Sequence, residues 1–96
     1  MGDSHKRAAR LVARKLKGRY YSASSPDVKG KRGSAEVKSS ANEIPTALRQ
    51  LAGRRGPAYV VLPTREHKQA LKRLSGLKTG LMDCRGKIVK RSTRKQ

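Results

Sequence analysis

Pro26-Asp27-Val28-Lys29-Gly30-Lys31-Arg32-Gly33-Ser34-Ala35-Glu36-Val37-Lys38 is the stretch on which the reading of this chain turns. Lys31-Arg32 reads as a two-residue turn with Gly30 and Gly33 as its closing pair. Antiparallel pairing then sets Lys29 against Ser34, Val28 against Ala35 and Asp27 against Glu36. Directly opposed residues share a face, with Cβ atoms about 4.5–5.5 Å apart. Alternation sends Val28, Ala35 and Val37 to the other, apolar face, so the register sorts the side chains without further adjustment. Lys38, two residues beyond Glu36, shares the face of the two acids.

The chain holds only 6 acidic residues against 25 Lys and Arg, and two of the six fall in this stretch. Like charges directly opposed across a ladder are destabilising. Lys29 and Lys38 each offer one positive charge on the same face; a divalent cation offers more. Mg²⁺ takes one or two protein carboxylates, keeps several waters and accepts phosphate oxygens for the rest. Asp27 and Glu36 supply that set, and the backbone carbonyl of Val37 adds a further oxygen. Lys38 is placed to orient an attacking water or to stabilise a charged transition state. The bland alternative is a salt-bridged hairpin, since Glu-x-Lys is common on exposed strands.

Working outward, Ser4 to Lys17 predicts a first helix, with Ala8, Leu11, Val12 and Leu16 at helical spacing and Gly18 as its end. Arg19 to Ala23 is strand-like. Asn42 is the expected cap of a second helix whose stripe is Ile44, Ala47, Leu48, Leu51 and Ala52. Ala58-Tyr59-Val60-Val61-Leu62 reads as a buried central strand stopped by Pro63. Thr64 is the expected cap of a third helix, with Ala70, Leu71 and Leu74 inward. A last hairpin is expected from Thr79 to Asp83 and Lys87 to Arg91, around Arg85-Gly86. The class is α/β: a mixed sheet flanked by helices, in the order α-β-β-β-α-β-α-β-β. One domain spans 1–96, with 1–3 and 92–96 expected to be flexible.

The formal charge is +19 on 96 residues. Self-repulsion of that size favours a polyanionic partner, DNA or RNA, through phosphate contacts. Three Tyr, no Phe and no Trp argue against an aromatic stacking platform. Lys29, Lys31, Arg32 and Arg49 are the expected phosphate contacts. Cys84 is the single cysteine, so no internal disulfide forms, as suits a reducing cytoplasm. No apolar run is long enough to span a membrane.

Pro26-Asp27 with Glu36-Val37-Lys38 resembles the motif of the PD-(D/E)XK phosphodiesterase superfamily, which includes many restriction enzymes and the archaeal Holliday-junction resolvases. The order of elements from Ser4 to Arg91 is similar to the restriction-endonuclease-like core. Ser39 and Ser40 after the lysine are similar to the resolvase-like branch. The resemblance implies Asp27 and Glu36 as ligands to Mg²⁺ or Mn²⁺ and Lys38 as a catalytic residue. It further implies a homodimer cutting DNA, branched DNA first, in a cytoplasm of prokaryotic or viral origin. One departure stands out. Resolvase-like members often carry a glutamate on the first helix, whereas Lys6-Arg7-Ala8-Ala9 here holds no acid; Asp3 and His5 are the nearest substitutes. The rival expectation is a non-catalytic basic nucleic-acid-binding protein of ribosomal or chromatin type.

Overall fold

A computed structural model describes residues 2–21, 23 and 25–95, the side chains of Gly2 and Asp3 excepted. Six strands form one mixed sheet in the order β1-β2-β3-β4-β5-β6. The strands are β1 (Gly18–Tyr20), β2 (Val28–Gly30), β3 (Gly33–Val37), β4 (Ala58–Val61), β5 (Gly80–Met82) and β6 (Ile88–Lys90). Helix α1 (Gly2–Lys15) precedes β1, α2 (Ile44–Leu51) joins β3 to β4, and α3 (His67–Leu74) joins β4 to β5. The β3–β4 and β4–β5 pairs are parallel and the other pairs antiparallel.

Each parallel pair needs a crossover, and a helix is the usual one. Both crossover helices lie on one face. There Ile44, Ala47 and Leu51 of α2 and Ala70 and Leu74 of α3 bury Ala58, Val60, Leu62 and Leu81. On the other face, Ala8, Ala9, Val12, Ala13 and Leu16 of α1 cover Val28, Ala35, Val37, Tyr59, Val61 and Met82. With both faces covered, β4 is buried along its whole length, which is why its sequence is continuously apolar.

The hairpin register is as the sequence predicts for three pairs: Val28 with Ala35, Lys29 with Ser34 and Gly30 with Gly33. Gly18 faces Gly30 across β1–β2. A Cβ on Gly30 would run into the Leu16 carbonyl and come within 2.9 Å of the Gly18 Cα, so the end of α1 can cross the hairpin only over glycine.

Several local expectations give way to others. α1 begins at Gly2, two residues ahead of the expected start at Ser4. Ser40, not Asn42, caps the run into α2 through a reciprocal capping box with Glu43. Thr64 makes no cap; it opens a 3-10 turn (Thr64–Glu66) ahead of α3. Leu71 is 40% exposed, because α3 is only two turns long and turns a narrow stripe inward. The segment after β6 is anchored: Ala58 N–H donates to Ser92 Oγ at 3.1 Å and Thr93 N–H to the Lys78 carbonyl at 2.9 Å. The Arg94 guanidinium donates to the Leu51 carbonyl at 3.2 Å and to the Arg54 carbonyl, satisfying the open end of α2. Of the expected β1 strand Arg19–Ala23, the structure forms Gly18–Tyr20; Ser22 there, and Met1 and Gln96 in the expected flexible ends, lie outside the described residues. No helix among the described residues is long and apolar enough to cross a membrane.

Candidate active site

Asp27 and Glu36 meet at the carboxyl end of β3, through contacts different from those of a simple ladder pair. β2 starts at Val28, one residue past Asp27. The Asp27 N–H instead donates to Glu36 Oε1 at 2.5 Å, and its carbonyl accepts from Tyr21 N–H at 2.7 Å. β3 runs on to Val37, where β2 no longer provides a partner. Asp27 Oδ2 takes that place and accepts from the Val37 N–H at 3.0 Å. A carboxylate thus completes the hydrogen bonding of a strand end that would otherwise carry an open donor.

Glu36 is 1% exposed, an unusual setting for a carboxylate in so cationic a chain. Lys38 Nζ lies 3.5 Å from Glu36 Oε2. Burial pushes the Glu36 carboxyl above its ordinary value and the neighbouring Asp27 charge adds to the rise; the Asp27 N–H and the Lys38 ammonium pull the other way without cancelling it.

The direction of that shift has a stability consequence. Below the ordinary 4.5 the protonated, buried carboxyl contributes its full stabilisation, which is lost as pH rises through the higher folded-state value. Glu36→Gln keeps the shape and removes the charge. It is therefore expected to melt at a higher temperature than wild type at neutral pH, with the gain disappearing below the ordinary carboxylate range. Thermal melts of both proteins over that pH span test this; a gain independent of pH would contradict it.

The remaining described acids have structural partners. Glu43 Oε2 accepts from Ser39 N–H, Ser39 Oγ and Ser40 N–H at 3.0, 2.9 and 3.1 Å. Burial alone would raise the Glu43 carboxyl, but these donors outweigh it and hold the group low. Glu66 accepts from the Ala41 N–H at 2.8 Å. Asp83 Oδ1 fastens the β5–β6 turn through Arg85 N–H and Lys87 N–H. Asp27 and Glu36 are the pair brought together.

His5 completes the group. It stands in the second turn of α1, with Nε2 3.1 Å from Asp27 Oδ2 and its ring edge-on to Tyr20. The first helix, which holds no acid in Lys6-Arg7-Ala8-Ala9, offers an imidazole there, and His5 is one of the two substitutes its sequence names. α1 packs across the hairpin and brings its first turns to the end of β3. The side chain of Asp3, the other substitute, lies outside the described residues. Among the described residues no three His, Cys, Asp or Glu side chains are arranged to hold a metal. A cation here would rest on the two carboxylates, the Val37 carbonyl and water, a ligand set that suits hard Mg²⁺.

Beside the group opens a cleft of about 880 Å³. One wall is α1, with Ser4, His5, Arg7, Ala8 and Leu11. The other is formed where the three parallel strands end: Val37-Lys38-Ser39 after β3, Pro63 and Arg65 after β4, and Cys84-Arg85 after β5. Ligands of open α/β sheets bind at the carboxyl ends of the strands, which is where this cleft lies. Cys84 is half-buried; burial first and Asp83 second raise its thiol, against a lowering by Arg65.

The structure brings Lys38 to the carboxylates but sends Lys31 and Arg32 elsewhere. Their N–H groups donate to the Lys17 and Leu16 carbonyls at the far end of α1. His5 and Leu16 are eleven residues apart on α1 and its end, about 17 Å at the helical rise. Lys29 sits over the Tyr21 ring at 4.7 Å. Arg49 is exposed on α2 and donates to Thr46 Oγ1 at 3.4 Å. Its neighbour Gln50 donates to Ser25 Oγ at 3.1 Å, bracing the segment ahead of Asp27. The arginines that line the neighbouring cleft, Arg7, Arg65 and Arg85, carry no spacing signal in the sequence.

Comparison with protein-family models, curated proteins and solved structures finds no match.

Proposed function

We propose that this chain is a metal-dependent endonuclease that hydrolyses DNA phosphodiester bonds, with branched DNA as its first substrate. The observation that carries the proposal is the meeting of Asp27, buried Glu36 and Lys38 at one strand end, beside a cleft walled by arginines. Burying two neighbouring carboxylates is costly without a compensating cation, and one ammonium group offsets only part of that. The raised Glu36 carboxyl is the mark of the uncompensated remainder.

Asp27, Glu36 and the Val37 carbonyl would hold Mg²⁺ or Mn²⁺. When bound, such an ion supplies a more acidic water and neutralises charge on the phosphate. Lys38 then has an ammonium beside the reacting centre, able to orient the water or to stabilise negative charge as it develops. His5 holds Asp27 Oδ2 from the α1 side and fixes the carboxylate's orientation. The resemblance to PD-(D/E)XK nucleases assigns the same roles to the same three residues. A homodimer of this small domain would present two such sites to two strands.

A second reading has its own support. His5 and Lys38 already pair with the two carboxylates, as in a salt-bridged hairpin of a non-catalytic nucleic-acid-binding protein. A nicking assay on supercoiled and branched DNA separates the readings. Cleavage is expected with Mg²⁺ or Mn²⁺ and none with chelator. Binding without cleavage of any form with either ion would establish the binder.

A further inference from the structure

We propose that the cleft beside Lys38 seats a short unpaired segment of DNA, with bases on its apolar floor and phosphates on its arginine rim; this rests on the nuclease reading of the neighbouring carboxylates. Of the residues lining the cleft, Ala8 and Val37 are buried and Leu11 and Pro63 half-buried, which makes them its floor, while Arg7, Arg65 and Arg85 are exposed and form its rim. Glu43, the acid on its wall, accepts from Ser39 and Ser40 and keeps its charge. Arg7, Lys38, Arg65 and Arg85 on the same lining outnumber it, so the net charge facing the cleft is positive.

Apolar floor and cationic rim match the two halves of a nucleotide. A duplex keeps its base faces inside the stack and offers only edges, so it has no group to place on such a floor. An unpaired strand offers both a base face and a phosphate. Among the described residues the His5 imidazole is the aromatic ring on the cleft lining, and guanidinium planes also stack on bases. Neighbouring strands lie about 4.8 Å apart, so the path from the end of β3 to the end of β5 is about 10 Å. That length suits a few nucleotides leading to the carboxylates and does not suit a helical turn of duplex.

The rim is presented rigidly. Arg85 lies in a turn where Asp83 Oδ1 accepts from Arg85 N–H at 2.8 Å and from Lys87 N–H at 2.9 Å. Arg65 lies in the 3-10 turn closed by Glu66 N–H on the Pro63 carbonyl at 2.9 Å. Little side-chain-bearing backbone has to be ordered on binding, which favours affinity.

The test is anisotropy with a labelled oligothymidylate and a blunt duplex, with metal chelated so that nothing is cut. The double variant Arg65→Glu/Arg85→Glu is set against Lys31→Glu/Arg32→Glu, which makes the same charge change at the far end of β3. All four residues are exposed, so both variants are expected to fold. The cleft pair is expected to weaken oligothymidylate binding by about tenfold or more beyond the control pair, while duplex binding falls alike in both. Equal losses of oligothymidylate affinity in the two variants overturn the assignment. Nicking is scored separately with metal present. Wild type that never nicks, yet shows the cleft-specific loss, would sink the nuclease reading and leave the single-strand cleft standing.

Discussion

Glu36→Gln, Asp27→Asn and Lys38→Met are each expected to lower metal-dependent nicking by about 10³-fold or more while DNA affinity stays within a few-fold of wild type. The magnitude follows from what each change removes. A single well-placed electrostatic group in a water-poor site accounts for about 10²–10³ in rate, and a group needed to hold the metal accounts for more. The preserved affinity follows from charge. Each substitution changes the net charge by one unit out of +19, and phosphate contacts over the rest of the surface remain. The two carboxylate variants should also lose metal-induced thermal stabilisation, whereas Lys38→Met should keep it, because Lys38 is not a ligand. That split separates holding the ion from using it. Unchanged nicking in all three variants would end the catalytic assignment, and loss of nicking with parallel loss of fold would be seen in the far-ultraviolet circular dichroism.

The hairpin was legible because two independent signals in it agree. Glycines at 30 and 33 define the turn, and the alternation of Val28, Ala35 and Val37 defines the buried face; a register slip of one would have exposed all three. The central strand was legible for a related reason, since five consecutive apolar residues between Gly56-Pro57 and Pro63 can be buried only between two layers. The exchange of Asp27 from ladder pair to strand-end acceptor was not legible. It depends on β2 stopping one residue short, and strand ends are set by competing side-chain acceptors that spacing does not encode. The same limit left His5 as one of two substitutes for the missing helix acid and hid the cleft arginines. They come from α1, from the turn after β4 and from the turn after β5, and only the layering of helix on sheet makes them neighbours. The hydrogen bonds that tie the C-terminal segment to the sheet and to α2 were not legible, because its composition is polar. Its order comes from Ser92 and Arg94 completing open backbone groups of β4 and α2, which composition does not report.

Leu62→Ala is expected to cost about 2–5 kcal/mol, a large share of the roughly 5–14 kcal/mol typical of a chain this long. Leu62 is fully buried between the sheet and the two crossover helices, and its N–H and carbonyl are held by the Met82 carbonyl and His67 Nε2. The backbone is thus pinned and the cavity cannot easily collapse. Charge makes the loss visible. At about 0.01 M salt the screening length is about 30 Å, which matches the 31 Å long dimension of the molecule, so every cation repels every other. At about 1 M it shrinks to about 3 Å and the repulsion becomes local. Urea titrations should therefore find Leu62→Ala largely unfolded at low salt and folded at high salt, with wild type folded in both. Short duplex DNA should restore the variant at low salt as well, since binding to the folded state alone shifts the equilibrium toward it. A cost below about 1 kcal/mol would contradict the packing argument. A midpoint indifferent to salt and DNA would show instead that the +19 charge does not set the margin of stability.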